Sequence, residues 1–238
     1  RLLGGGDTEG GDPYVTMEYV EGEPITAFAD RHRLPVADRI DLFLQVCDAV
    51  AYAHRRLVVH RDLKPSNVFV AEGEAGPQVK LLDFGIASLL DGDGEKTVFL
   101  GTGRAFTPEY AAPEQVTGEA VGTAADVWAL GVLLHRLLAD RRPFPAGPGR
   151  VPCPDPRAEP PSVSATRPGD DDEPPADAVA DARQTAPDRL RRALSGDLDA
   201  IVARCLRPEP DARYASVDAL ADDLRRHRTG RPVQARRG

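Results

Sequence analysis

One segment of this chain has to lie inside a folded domain. Residues 126–138 (DVWALGVLLHRLL) are apolar around nearly the whole circumference of a helix, whereas a helix at a protein surface keeps one polar face. Such a helix is stable in water only when other elements surround it. The chain has 238 residues, which is enough to supply those elements and a packed core. We therefore expect a globular domain built around this helix.

Amphipathic helices are predicted on both sides of this segment. Apolar residues recur at helical spacing over 36–54, which predicts a helix of about five turns with one buried face. The same spacing returns at 198–206 and at 217–224, where Ser216 is a natural N-cap. These helices are the expected partners of the buried one.

Strands are predicted only in the first third of the chain. Aromatic and β-branched residues dominate 14–20, which we interpret as the second strand of a hairpin. Two short apolar runs at 68–71 and 79–82, separated by a loop that contains Gly and Pro, predict a second hairpin. Residues 85–123 show no sustained periodicity and are predicted as a long ordered loop. The expected fold class is α+β.

Two further segments differ in composition from the rest. Twelve of the 22 prolines lie between positions 143 and 187, together with the acidic run at 170–173. Because proline cannot donate a backbone hydrogen bond, we expect an irregular insertion over 143–188. Residues 229–238 are predicted to form a basic tail.

The charge balance argues against nucleic-acid and membrane functions. The chain carries 30 Lys and Arg against 38 Asp and Glu, a formal net charge of -8, so it has no overall attraction to phosphate backbones or anionic lipid. No signal-peptide pattern is present, and no apolar run approaches about 18 residues. The three cysteines are far apart and suggest neither a disulfide framework nor a zinc site. We expect a cytoplasmic, reducing location, with no nucleic-acid partner and no membrane contact from this segment.

Three short motifs follow one another along the chain. His60 begins the eight-residue segment HRDLKPSN, DFG begins at Asp83, 16 residues after Asn67, and APE occupies 112–114. One triplet alone could arise by chance, but an eight-residue match with two further motifs in order is specific. Together they match the catalytic-loop, DFG and APE signatures of protein kinases. The chain resembles the bacterial Hanks-type serine/threonine protein kinases.

The residue types in these motifs suit transfer of the γ-phosphoryl group of ATP. A carboxylate on a rigid loop can receive the proton of the acceptor hydroxyl, which predicts Asp62 as the base. Lys64 would neutralise charge on the transferring group. Magnesium (or manganese) prefers oxygen ligands, which suits the carbonyl of Asn67 and the carboxylate of Asp83. The implied cofactors are therefore ATP and Mg²⁺, and the predicted catalytic residues are Asp62, Lys64 and Asn67.

The resemblance also implies a nucleotide site. The segment MEYV at 17–20 resembles a kinase hinge, in which the Glu18 carbonyl and the Val20 amide pair with adenine and Met17 is the gatekeeper. Phe69 matches the position that packs beneath the adenine ring. The implied nucleotide-binding residues are therefore Met17, Glu18, Val20, Phe69 and Asp83.

A second implied set of residues supports the site. His60 and Phe84 match the lower members of the regulatory spine, and Asp126 is implied to hold the backbone near His60. Arg213 matches the arginine that pairs with the glutamate of APE, here Glu114.

The implied acceptors are serine and threonine residues of proteins, because the catalytic loop carries lysine where serine/threonine kinases do. Thr107 aligns with the segment that receives the acceptor and is expected beside the catalytic carboxylate. A phosphate on Thr97 or Thr102 would pair with Arg61 and order the activation segment. The alternative is that both are unmodified loop threonines.

The resemblance lacks its upstream part. Residues 4–9 (GGGDTE) do not complete a G-x-G-x-x-G motif, and neither a V-A-I-K lysine nor its partner glutamate is present. We therefore expect residues 1–22 to be a remnant of the N-terminal lobe with its last strand pair and hinge, and 23–228 to be the helical C-terminal lobe. Such a truncated chain would be weakly active or inactive. A truncated pseudokinase-like protein-binding module and a non-functional gene fragment stay open as alternatives.

Overall fold

The structure is a computed structural model, and it describes residues 2–8, 10–11, 13–73, 76–82, 107–144, 162–164 and 174–236. At its centre is a helix over Thr123–Ala139, which is named α4 in chain order. Every residue of α4 from position 125 to its end is buried except Arg136. The predicted buried helix is therefore confirmed.

Amphipathic helices surround α4. Helices α1 (Ile25–Arg31), α2 (Val36–His54) and α7 (Asp197–Cys205) contact it directly, and α8 (Val217–Arg228) contacts α2 and α7. The predicted Ser216 N-cap is confirmed, because its hydroxyl accepts a hydrogen bond from the Ala219 N–H at 3.2 Å. Gly131 lets α4 and α7 approach closely, since a Cβ there would lie 2.5 Å from the Cys205 Cβ. In the described part of the chain, no helix has the length and hydropathy needed to cross a bilayer.

The strands in the described part of the chain form two sheets. Strands β1 (Leu2–Asp7) and β2 (Pro13–Met17) are an antiparallel pair, so the strand predicted at 14–20 is present but shorter. The predicted second hairpin is β4 (Val68–Gly73) and β5 (Gly76–Leu81), and the short strand β3 (Glu23–Pro24) completes a sheet of order β3-β4-β5. The side-chain amide of Gln45 on α2 makes two hydrogen bonds with the backbone of β5: it accepts from the Val79 N–H (3.1 Å) and donates to the Pro77 carbonyl (3.2 Å). This sheet is thereby held against the helices.

A short helix interrupts the loop that was predicted at 85–123. It is α3 (Pro113–Thr117), with Pro113 in its first turn and Gly118 at its C-cap with φ of 77°. Proline at the start and glycine just past the end are favourable helix boundaries. Five residues are too few to show helical periodicity, and for that reason α3 was not predicted.

The prediction of an irregular insertion at 143–188 is wrong over its last part. Helix α5 (Ala176–Asp181) lies inside it, and α6 (Pro187–Leu194) begins there. Prolines are frequent over this window as a whole, but none falls between Pro175, the N-cap of α5, and Pro187. Val179 and Ala180 on α5 are buried in the core. Burial of these side chains therefore outweighs the composition of the surrounding segment.

Two fully buried arginines connect this region to α4. Arg39 on α2 and Arg183 after α5 both pair with the Asp30 carboxylate, at 2.7 and 3.2 Å. The Arg183 guanidinium also donates to the last carbonyls of α4, at Leu138 (2.8 Å) and Leu137 (3.1 Å), which have no partner inside their own helix. Burial lowers the pKa of Arg183 to about 10. These contacts join α1, α2, α4 and the chain after α5.

The tail predicted at 229–238 is folded as far as Arg236. Val233 is buried, and the Asp223 carboxylate on α8 accepts hydrogen bonds from the backbone N–H groups of Gln234 (2.8 Å) and Ala235 (2.9 Å). The Tyr214 hydroxyl donates to the same carboxylate at 2.8 Å. One apolar residue and one buried carboxylate therefore hold a segment that is basic in composition.

Leu57 follows α2 in a backbone conformation that costs stability. Its φ is 61°, in the left-handed region, and its side chain is 94% exposed, so it gains little by packing. Asparagine tolerates this region better than leucine does, and we expect Leu57→Asn to raise the free energy of unfolding by about 0.5–1 kcal/mol. Urea unfolding would measure it. Val58→Asn is the matched control, because Val58 is exposed without a positive φ. Equal effects of the two variants would contradict this prediction.

Candidate active site

The segment 60–67, called the catalytic loop from here on, lies between α2 and β4 and is held by the first turn of α4. The Asp126 carboxylate accepts hydrogen bonds from the backbone N–H groups of His60 and Arg61, each at 2.8 Å. Its Oδ2 also lies 2.7 Å from Nε2 of His54, the last residue of α2. Asp126 is fully buried, and through its carboxylate the central helix holds the backbone of the catalytic loop.

Arg61 has a backbone conformation that is unusual for a residue with a side chain. Its φ is 69°, and the left-handed region costs such a residue about 1–2 kcal/mol. Hydrogen bonds from the two successive N–H groups to the charged Asp126 carboxylate compensate for this cost. The conformation turns the chain so that Asp62 follows directly after the held residue.

Four predicted residues meet at the Asp62 carboxylate. Its Oδ1 accepts a hydrogen bond from the Thr107 hydroxyl at 2.9 Å, and its Oδ2 lies 3.2 Å from Lys64 Nζ and 3.1 Å from Asn67 Nδ2. The Lys64 ammonium also donates to Thr107 Oγ1 at 2.8 Å. The Asp62 side chain is 23% exposed. The site therefore combines a solvent-accessible carboxylate, an ammonium group and a bound hydroxyl.

The donor set at Asn67 suits a hard cation. Its Nδ2 donates to the Asp62 backbone carbonyl at 2.8 Å as well as to the carboxylate, which turns the amide oxygen to the opposite side. Amide and carboxylate oxygens are the ligands that Mg²⁺ prefers. The second predicted ligand, Asp83, lies outside the described residues. Within the described ranges, no cluster of three or more His, Cys, Asp or Glu residues could hold a metal ion.

The segment predicted as the hinge joins the two sheets. Met17 ends β2, where it pairs with Leu2, and residues 18–20 lead towards β3. At Gly22 the backbone packs so closely against β4 that a Cβ would lie 2.5 Å from the Val70 carbonyl oxygen. Only glycine fits at this position. Phe69, the predicted adenine neighbour, precedes Val70 and is only partly buried. Residues 18–20 therefore come just before Gly22, where the chain packs against β4 beside Phe69.

His60 is a buried, neutral member of the loop. Its Nε2 lies 3.0 Å from the Leu82 carbonyl oxygen, and since a carbonyl only accepts, this nitrogen carries the proton. Burial lowers the pKa of His60 below its ordinary value, against the opposing effect of the nearby Asp126 carboxylate. The other predicted members of this region lie outside the described residues, namely Phe84, Thr97 and Thr102.

Glu114 and Arg213 form a buried ion pair. Two parallel hydrogen bonds of 2.7 and 2.8 Å join the guanidinium to the carboxylate, and both side chains are almost fully buried. The guanidinium lies 5.1 Å from the centre of the Trp128 ring and donates to backbone carbonyls of three further residues, Ala124, Arg207 and Pro208. This pair ties α3 to the segment before α8.

Two residues that support the catalytic loop were not predicted, one of them through Asp126 and the other by direct contact. His54 bonds Asp126, as described above, and Gln115 on α3 donates from Nε2 to the Arg61 carbonyl at 2.9 Å. Gln115 directly follows the APE motif, and His54 ends a strongly periodic helix. Neither position carries a signal of its own, because each acts on a residue distant in the sequence.

Comparison with known proteins identifies similar chains. The family profile described as protein kinase domain matches residues 8–225. The chain is 35% identical to the serine/threonine-protein kinase Pkn1 of Myxococcus xanthus over 89% of its length and 27% of that protein's. It is 30% identical to the serine/threonine-protein kinase PknB of Mycobacterium tuberculosis over 94% of its length and 32% of the relative's. The chain thus spans about three tenths of these curated relatives.

A solved structure is similar as well. The PknI kinase domain of Mycobacterium tuberculosis matches 95% of this chain and 70% of its own, with 25% identity and a TM-score of 0.63. The sequence matches to Pkn1 and PknB cover 89% and 94% of the chain, and they give no support to the expectation that most of an N-terminal lobe is missing.

Proposed function

This chain belongs to the protein kinase family, as a serine/threonine protein kinase domain, and on that premise we propose that it transfers the γ-phosphoryl group of ATP to serine and threonine hydroxyls of proteins. One observation carries the proposal. A threonine hydroxyl is bound between the Asp62 carboxylate and the Lys64 ammonium, at 2.9 and 2.8 Å. An acceptor hydroxyl needs a carboxylate within the same distance range to receive its proton.

In this proposal the described residues have distinct roles. Asp62 accepts the proton of the acceptor hydroxyl and orients its oxygen for attack, and Lys64 stabilises negative charge on the transferring group. Asn67 holds Asp62 through two hydrogen bonds and presents its amide oxygen to a metal ion. Thr107 keeps the loop and the acceptor side of the site together through its contacts with both charged groups.

The proposed cofactors are ATP and Mg²⁺. Asn67 and Asp83 would hold the metal, which neutralises phosphate charge when bound. The Glu18 carbonyl and Val20 N–H would pair with adenine, with Met17 and Phe69 beside the ring. The path of the chain supports this assignment, because residues 18–22 lead from the β1–β2 sheet onto β4 beside Phe69.

We further propose that the division into two lobes falls near residue 22. The β1–β2 pair and the hinge would belong to the smaller lobe, and residues 23–228 to the helical lobe, with helices α5 and α6 included in it. The separation of the β1–β2 sheet from the β3-β4-β5 sheet, which packs on α1 and α2, supports this division.

Phosphoryl transfer can be tested directly. The protein would be incubated with Mg²⁺, γ-labelled ATP and a mixture of acceptor proteins, followed by phosphoamino-acid analysis. We expect label in phosphoserine and phosphothreonine, and its loss when EDTA removes the metal. Label in phosphotyrosine alone would contradict the acceptor class, and absence of any label at millimolar ATP would contradict the activity.

A further inference from the structure

We propose that Gln115 is a positioning residue that sets the orientation of the Asp62 carboxylate. This inference rests on the proposed function, because Asp62 is its target. Gln115 lies on α3 and reaches the catalytic loop through one hydrogen bond, from its Nε2 to the Arg61 carbonyl oxygen at 2.9 Å. That carbonyl belongs to the peptide group that joins Arg61 to Asp62.

The orientation of the Gln115 amide follows from its second contact. Its Oε1 accepts a hydrogen bond from the Ala112 backbone N–H at 3.0 Å. A backbone N–H can only donate, so the amide oxygen must face Ala112 and the amide nitrogen must face Arg61. The side chain therefore bridges the start of α3 and the catalytic loop, with its amide oxygen as acceptor and its amide nitrogen as donor.

Gln115 completes the support of Arg61. The N–H of Arg61 donates to Asp126 at 2.8 Å, and its carbonyl accepts from Gln115, so the peptide groups on both sides of this residue are held. The φ of 69° lies between these two held groups. Without the hydrogen bond from Gln115, the second peptide group could rotate towards a less strained conformation. Rotation of that peptide group would redirect the Asp62 side chain away from Lys64 and Thr107.

The helix that carries Gln115 is itself firmly held. Glu114, the preceding residue, is the buried partner of Arg213. The buried ion pair therefore holds α3 in place, and Gln115 on that helix holds the peptide group before Asp62. The alternative is that Gln115 only stabilises α3, through its hydrogen bond with the Ala112 N–H.

One substitution separates these two roles. Gln115→Glu is nearly isosteric and keeps an oxygen for the Ala112 N–H, but places a second oxygen against the Arg61 carbonyl where the donor was. Thr117→Ala is the matched control, since Thr117 is exposed on the same short helix and its hydroxyl bonds only Glu114 within α3 among the described residues.

The kinetic test uses the wild type, both variants and the Asp62→Asn background. We expect Gln115→Glu to lower kcat about 10-fold with KM for ATP unchanged, and Thr117→Ala to change neither. In the Asp62→Asn background, Gln115→Glu should cause no further loss, because its effect passes through the carboxylate that is already removed. An equal 10-fold loss in both backgrounds would overturn the proposal.

Backbone hydrogen exchange tests the same inference without any activity. Exchange of loop residues 60–63 should be about 10-fold faster in Gln115→Glu than in the wild type or in Thr117→Ala. Unchanged exchange would overturn the proposal even if phosphoryl transfer is established. Absence of transfer in the wild type together with faster exchange in Gln115→Glu would instead contradict the proposed function and retain the positioning role in the fold.

Discussion

Replacing Asp62 by asparagine is expected to lower kcat for phosphoryl transfer by about 10²–10⁴-fold. Asparagine keeps the shape of the side chain and an oxygen that can accept the Thr107 hydroxyl, but it cannot receive the proton of the acceptor. KM for ATP should stay within about twofold, because the proposed adenine contacts lie on residues 18–20 and not on the loop. Steady-state rates with labelled ATP would measure both constants.

A control variant separates this loss from a general effect of removing one negative charge. Asp218 is exposed on α8 and lies 3.4 Å from Arg55 in a surface ion pair. Asp218→Asn makes the same chemical change away from the site and should leave kcat unchanged. If Asp62→Asn kept more than about a third of the wild-type kcat, Asp62 would not be the base.

Replacing Arg213 by alanine is expected to lower the free energy of unfolding by about 3–5 kcal/mol. The substitution leaves the Glu114 carboxylate buried without its partner, and a buried unpaired charge is far more costly than the loss of a surface pair. It also removes the donors to the carbonyls of Ala124, Arg207 and Pro208. Urea unfolding followed by circular dichroism would measure the change.

Two comparisons show whether burial is the cause. Arg225 and Asp48 form an ion pair of the same 2.7 Å length at the surface, with side chains 46% and 62% exposed. Arg225→Ala should therefore cost no more than about 1 kcal/mol. The double variant Arg213→Met with Glu114→Leu removes both charges and should regain most of the lost stability. Equal losses in the free energy of unfolding for Arg213→Ala and Arg225→Ala would contradict burial as the cause of the larger effect.

Long periodic elements of the fold were predictable from the sequence. The helix at 36–54 was predicted with its observed bounds, and the buried helix within a few residues of α4. In both helices the hydrophobic pattern extends over four or more turns, so many residues indicate the same structure. The hairpin at 68–81 was predictable for the related reason that a Gly- and Pro-containing loop separates two apolar runs.

Short helices were not predictable in this way. Helices α1, α3 and α5 have seven, five and six residues, which is too short for periodicity to show. Their stability comes from contacts with distant parts of the chain. For α5, the deciding contacts are burial of Val179 and Ala180 and the nearby hydrogen bonds of Arg183 to the end of α4.

The sequence by itself determined which residue types are available for the chemistry and in what order. Motif spacing indicates Asp62, Lys64 and Asn67 as one group, because all three lie on a single eight-residue segment. The resemblance implied Thr107 beside the catalytic carboxylate and the pairing of Arg213 with Glu114. Only the tertiary structure revealed Gln115 as a support of the loop, and only it gave the contacts within each of these distant pairs. Thr107 is 45 positions from Asp62, Gln115 is 54 from Arg61, and Arg213 is 99 from Glu114. Such pairs form because the helices around α4 pack in one arrangement, and no local pattern in the chain encodes which distant side chain that arrangement brings within hydrogen-bonding distance.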